Sequence, residues 1–236
     1  MSTTDVAKLE TAGLRYSGRV HSDTMKPPES STSRPTLGIL AGGRASRLAG
    51  RDKAWLERDG VPQVVRWQRR FADEVAAVLV SANITLSNSR SSNSALSNSM
   101  LDRYRQAGLD AVADRHDGDL GPLAGLDALA AACRTPWLLT IPVDLVGVNE
   151  CLLPTLESMG TANGAFAVDD DGPQPLVALW RVEALRPLVA DAIREGDFAV
   201  HRLQLRLGMA AVRLEGVRFG NLNTPEDLAA AGIDHE

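Results

Sequence analysis

Cysteine is nearly missing from this chain. Two in 236 residues, Cys133 and Cys151, cannot build a disulfide framework, and neither stands in a CxxC or Cys/His cluster of the kind that holds zinc. Both read as small apolar side chains in a reducing cytoplasm. Aromatics are scarce at 4%, and Trp55, Trp67, Trp137 and Trp180 stand singly, which favours packing over base stacking. Basic charge is in deficit, with 25 Lys and Arg against 30 Asp and Glu, a net charge of -5. That balance excludes duplex nucleic acid as the main partner. No apolar run approaches the roughly 20 residues that cross a bilayer, so no membrane partner is expected. The first 35 residues mix both charges without an apolar stretch and do not read as a signal peptide. GxGxxG, GxxxxGK[ST] and GxSxG are also missing, which removes the dinucleotide fingerprint, the P-loop and the serine nucleophile elbow.

What remains is ordinary globular composition, 44% hydrophobic and 23% charged. The stretch KPPESSTSRPT is too polar and proline-rich to pack, so residues 1–35 are expected to be a disordered extension and 36–234 one domain. Within it LGILA (37–41), AAVLVSA (76–82), DAVAD (110–114) and PWLLTIPVD (136–144) read as strands. The last is a near-continuous apolar run of the kind buried on both faces. PQVVRWQRRFADEV (62–75) and PLAGLDALAAAC (122–133) carry apolar residues at helical spacing, and Pro122 suits a first helical turn. Strands alternating with helices predict a doubly wound α/β domain with a mostly parallel sheet. The serine- and asparagine-rich stretch 87–99, with SNS repeated at a period of five, reads as a flexible insertion.

Ligands of such sheets bind beyond the carboxyl ends of the strands. There the sequence LAGGRASRLAGRDK (40–53) places three glycines, three arginines and a lysine. Small residues Ala41, Gly42 and Gly43 let backbone N–H groups face an anion, and Arg44, Arg47 and Lys53 add cationic reach for phosphate oxygens. A flexible surface loop is the competing reading. Asn83, Asp114 and Asp144 likewise follow predicted strands. Asp144, ending a buried run, suits either a helix cap or a hard divalent cation bridging to phosphates.

The long signature LAGGRASRLAGRDK resembles the LAGGxxxRMGxDK of the MobA-like nucleotidyltransferases, the molybdenum cofactor guanylyltransferase family. SAN (81–83), AD (113–114), GPLAG (121–125), PVD (142–144), QPLVALW (174–180) and NLNTPEDL (221–228) extend the likeness in order. The resemblance implies a three-layer α/β/α nucleotide-binding domain of the nucleotide-diphospho-sugar transferase, Rossmann-like type. It implies transfer of GMP from GTP to molybdopterin with Mg2+, and molybdoenzymes or their chaperones as downstream partners. By the same resemblance Leu40, Ala41, Gly42 and Gly43 line the nucleotide, and Arg47 and Lys53 neutralise the triphosphate. Asn83 and Asp114 hold the guanosine end, Gly121 packs a helix terminus against the nucleotide, and Asp144 binds the metal. Asn221 and Asn223 face the pterin side or the metal. Leu48 and Ala49 replace the Met and Gly of the signature, and PVDLV lacks the proline that often follows the aspartate.

Alternatives of the same chemistry are a CTP-dependent or sugar-phosphate nucleotidyltransferase, and of another class a non-catalytic nucleotide-binding relative. A carboxylate at Asp114 favours guanine, whose N1–H and N2–H₂ it can accept. TPED within NLNTPEDL reads as a helix start, with Thr224 capping, Pro225 first in the helix and Asp227 completing a capping box. Asp169 to Asp171 read as a solvated turn before Gly172 and Pro173, with metal coordination the competing reading; Arg202 and Arg206 read as a solvated helix face or the lining of a pterin phosphate pocket, and His116 and His201 as isolated.

Overall fold

A computed structural model describes residues 33–42, 47–48, 51–85, 93–116, 118 and 120–233, with side chains omitted at 47, 48, 51, 83–85 and 93–99. The N-terminal 32 residues, for which disorder is expected, lie outside this set. Five segments rich in apolar residues become the strands β1 (Thr36–Leu40), β2 (Ala77–Thr85), β3 (Asp110–Asp114), β4 (Trp137–Pro142) and β5 (Gly164–Asp169). β6 (Gly172–Arg181) and β7 (Ala210–Arg213) complete a seven-stranded sheet. Its order is β3-β2-β1-β4-β6-β5-β7. β1 pairs in parallel with both β2 and β4, and β5 with β7, whereas β6 runs antiparallel to β4 and β5. The sheet is therefore mostly parallel, as the strand and helix rhythm predicts.

Helices cover both faces, as they must when a parallel sheet has no polar side. On one face α1 (Gln63–Arg70), α2 (Asn93–Gln106) and α4 (Leu152–Met159) pack through Val64, Trp67, Tyr104 and Leu156 onto Leu37, Ile39, Leu139 and Ile141. On the other, α3 (Pro122–Ala132), α5 (Val182–Glu195) and α6 (Val200–Leu207) bury Leu126, Leu129, Leu185 and Leu203 against Leu40, Leu138 and Trp180. α3 comes so close that a Cβ on Gly38 of β1 would lie 3.0 Å from Leu129 Cδ1. A short helix α7 (Pro225–Ala230) ends the domain, and its Leu228 joins Leu56 and Leu222 in a third apolar cluster.

One expectation is corrected. The stretch 87–99 is not a loop throughout: from Asn93 onward it is helical and opens α2. The reason lies downstream, where Leu101 and Tyr104 are buried and Met100 packs on the core, so tertiary burial overrides a polar, weakly helical composition. Residues 86–92 lie outside the described set.

Candidate active site

β1 is where the winding reverses, because β2 lies on one side of it and β4 on the other. A crevice opens beyond the carboxyl ends of such strands. Backbone hydrogen bonds prolong the pairing there: Ala41 N donates to Ser81 O and Val143 N to Leu40 O, each at 3.0 Å. Leu40 and Ala41 are buried and Gly42 is exposed, so the chain surfaces at the first glycine of the loop. Gly43 and Arg44 lie outside the described residues. For Arg47 only the backbone is described, pairing with Asp52 in a short antiparallel ladder.

Lys53 opens a single 3₁₀ turn (Lys53–Trp55), capped by the Asp52 carboxylate, which accepts from Ala54 N at 3.0 Å. Its ammonium is the focus of the site. Nζ donates to Asp144 Oδ2 at 2.9 Å and to Asn223 Oδ1 at 2.6 Å, and only 3% of the Lys53 side chain is exposed, against 19% for Asp144. Three predicted site residues thus meet, from segments 91 and 170 positions apart. A buried ammonium of this kind requires such partners.

Sequence reasoning did not find the residues that hold Asp144 and Asn223 in place. Gln63 at the start of α1 donates to Leu145 O at 3.1 Å, and Trp67 Nε1 donates to Val143 O at 3.1 Å, so α1 grips the backbone on both sides of Asp144. Leu222 N donates to Asp144 O at 2.9 Å, and Gly220–Asn221 pairs antiparallel with Leu145–Val146. Asn221 lies on this ladder with its side chain exposed and does not join the Lys53 cluster. Asn223 N donates to Asp227 Oδ2 at 3.0 Å. The capping box of Thr224 and Asp227 forms as its sequence predicts.

Near the end of β2, Asn83 sits where that strand slips register against β3, between Ser81 and Thr85. A bulge of this sort redirects a strand, and such bulges recur beside active sites. The Asn83 side chain lies outside the described set. Asp114, the last residue of β3, is half-buried. Burial, then the negative charge of Asp127, push its carboxyl above the ordinary value, while His116 opposes them. Gly121 caps α3 with φ 59° and ψ -145°, a conformation that suits glycine. A Cβ on Gly125 would lie 2.6 Å from Ser81 Oγ, so α3 rests directly on the ends of β1 and β2.

Several readings of lone residues are also resolved. The aspartate run does turn, but it is not solvated throughout: Asp169 ends β5 wholly buried, because Asp171 N, Gly172 N and Phe219 N donate to its carboxylate and replace water there. Arg202 pairs with Asp197 and Arg206 with Glu195, on an exposed helix face. His116, isolated in sequence, meets Asp127. No group of three or more His, Cys, Asp or Glu able to hold a metal occurs among the described residues. No described helix is long and apolar enough to cross a membrane.

Residues 37–207 match the MobA-like NTP transferase domain. A molybdenum cofactor guanylyltransferase of Pseudomonas paraeruginosa is 34% identical over 207 residues, covering 86% of this chain and 96% of that protein. One of Yersinia pseudotuberculosis serotype O:1b is 31% identical, covering 80% and 90%. Among solved structures, the molybdopterin-guanine dinucleotide biosynthesis protein A of Archaeoglobus fulgidus superposes with a TM-score of 0.58 at 18% identity, covering 84% of this chain and 96% of that one. The 2-C-methyl-D-erythritol 4-phosphate cytidylyltransferase of Thermus thermophilus gives 0.55 at 19%, covering 84% and 97%. The shared architecture is the nucleotide-diphospho-sugar transferase fold. With Lys53, Asp144 and Asn223 joined by hydrogen bonds and the family's domain matched over most of its length, the chain belongs to the MobA-like NTP transferase family.

Proposed function

We propose that the protein is a molybdenum cofactor guanylyltransferase, which transfers GMP from GTP to molybdopterin and releases pyrophosphate. The observation that carries this reading is Lys53, buried at the switch point and tied to Asp144 and Asn223. An ammonium, a carboxylate and an amide oxygen at the end of β1 suit a triphosphate and its counter-ion.

An oxygen of the pterin's terminal phosphate attacks the α-phosphorus of GTP. A new P–O bond forms, the bond from the α-phosphorus to the α,β-bridging oxygen breaks, and pyrophosphate leaves with the electron pair. Two anions must approach, so positioning and charge neutralisation matter more than a protein nucleophile. Lys53 and Arg47 supply positive charge to the triphosphate. Leu40, Ala41, Gly42 and Gly43 line it with backbone. Asn83, Asp114 and the α3 terminus at Gly121 receive the guanosine, and Asn221 and Asn223 face the pterin.

The hard oxygen donors of Asp144 and Asn223 fit Mg2+, which favours one or two carboxylates with phosphate oxygens and water. Asp144 would hold it, beside Asn223. When bound it neutralises phosphate charge and favours departure of pyrophosphate. The enzyme acts in the cytoplasm, and molybdoenzymes or their chaperones receive the product.

The test has two parts. Thermal stability is followed with GTP, CTP and ATP, each with and without Mg2+. A ligand at 100 times its dissociation constant adds about 2.7 kcal/mol to the stability of the native state. A shift with GTP and Mg2+, lost in Lys53→Ala, supports the reading, and pyrophosphate release that requires molybdopterin completes it. A shift favouring CTP changes the product, and no shift with any nucleotide rejects the reading.

A further inference from the structure

One buried charge is not used by this mechanism. Asp127 lies within α3 and is the only charged residue of that otherwise apolar helix. Only 4% of its side chain is exposed. A carboxylate removed from water in this way is destabilising unless it is paired. Its partners come from one place. Arg115 Nη1 donates to both Asp127 oxygens, at 3.2 and 3.1 Å, and His116 Nε2 lies 3.1 Å from Oδ2. Arg115 and His116 are the two residues that follow Asp114 at the end of β3. Their own side chains are 54% and 39% exposed, so both reach from the surface to a buried anchor.

The anchor is rigid. α3 is pressed onto the ends of β1 and β2, where a Cβ on Gly125, two residues before Asp127, would meet Ser81 Oγ at 2.6 Å and Leu40 Cδ2 at 3.1 Å. The segment after Asp114 is thereby fixed to the same helix that borders the nucleotide crevice. The arrangement also has a cost, because a second carboxylate near Asp114 disfavours its charged form. An anchor serving stability alone would do better without that repulsion. His116 opposes that repulsion, while Arg115 and His116 together hold the segment.

We propose that Asp127 is a positioning residue for nucleobase selection: through Arg115 and His116 it holds the segment carrying Asp114, so that this carboxylate meets guanine in preference to cytosine. The inference rests on the reading that Asp114 faces the base.

The experiment measures dissociation constants of GTP and CTP, with Mg2+, for the full chain and for Asp127→Asn, Asp114→Asn and the double variant. Asp127→Asn is expected to weaken GTP about tenfold, to leave CTP within about twofold, and to add nothing once Asp114 is already Asn. A merely structural role would weaken both nucleotides alike or add in full to Asp114→Asn, and either result overturns the proposal. If Asp114→Asn lowers the GTP preference but Asp127→Asn does not, the proposal alone fails. If the wild-type chain binds the two nucleotides alike, or Asp114→Asn leaves the preference intact, the reading of Asp114 fails and takes the proposal with it. Should Asp127→Asn not fold, Arg115→Ala with His116→Ala loosens the same clamp from its exposed side. That variant must show the same loss of GTP preference, and an unchanged ratio refutes the proposal.

Discussion

Replacing Lys53 by methionine keeps the length and most of the volume of the side chain but removes its charge and its three donors. Asp144 Oδ2 and Asn223 Oδ1 would then lose the ammonium that holds them at 2.9 and 2.6 Å. Breaking a fully buried ion pair costs about 3–5 kcal/mol, most of it from the charge left behind. Here the remaining carboxylate is 19% exposed, so water recovers part of that loss, and about 2 kcal/mol is expected for Lys53→Met. For a chain of this size that corresponds to a fall of about 4–8 °C in melting temperature. The double variant Lys53→Met/Asp144→Leu removes the stranded charge as well. It should be more stable than Lys53→Met alone, because apolar replacement of both partners of a buried pair is often neutral. Urea unfolding without nucleotide reads both values, and pyrophosphate release should be lost in each. If Lys53→Met matches the wild type in stability, or the double variant is the weaker of the two, the assignment of Lys53 as the compensating charge of the crevice is wrong.

Other outcomes follow from the packing and from the carboxylates. Gly125→Ala should cost about 1–3 kcal/mol in urea unfolding, because its Cβ would fall 2.6 Å from Ser81 Oγ, and Ser81→Ala should restore part of that loss. Burial of Asp169 would raise its carboxyl, but hydrogen bonds from Phe219, Gln174, Asp171 and Gly172 outweigh burial and hold it below the ordinary 3.8. The stability it contributes is present above 3.8 and is lost as pH falls through the lower native value, so Asp169→Asn should flatten the stability profile in that acid range. The shift of Asp114 is opposite: raised above 3.8 in the native state, its carboxyl takes up a proton at higher pH than an ordinary aspartate. GTP binding should therefore weaken as pH falls through that raised value, and in Asp114→Asn this limb of the titration should vanish.

The strands at the centre of the sheet, β1 and β4, were legible because they are buried on both faces. LGILA, AAVLVSA and PWLLTIPVD announce themselves as apolar runs, since β1 has parallel neighbours on each side and helices above and below. β6 was less so. It begins GPQP, and its strand character comes from antiparallel pairing with β4 and β5 more than from its own pattern. α2 was hidden by its serines and asparagines, whose local preference yields to the burial of Tyr104. In the site, Lys53 and Asp144 were visible as costly charges beside a predicted strand end. Asp127 was visible too, as a single acid in PLAGLDALAAAC, and that oddity is the signal by which sequence alone could have found it.

The segment NLNTPEDL shows why a structural and a functional reading of one motif need not compete. Thr224 and Asp227 form a complete capping box at the start of α7, which accounts for TPED without any ligand. The same Asp227 carboxylate accepts from Asn223 N at 3.0 Å as well as from Thr224 N at 2.8 Å. Leu222, just before, is fully buried with Leu56 and Leu228, and Leu56 follows directly on the turn that carries Lys53. Cap, apolar cluster and turn together fix the Asn223 backbone, so that its amide oxygen meets Lys53 at 2.6 Å. The helix cap is thus the means by which the C-terminal segment delivers an oxygen to a site assembled 170 residues earlier.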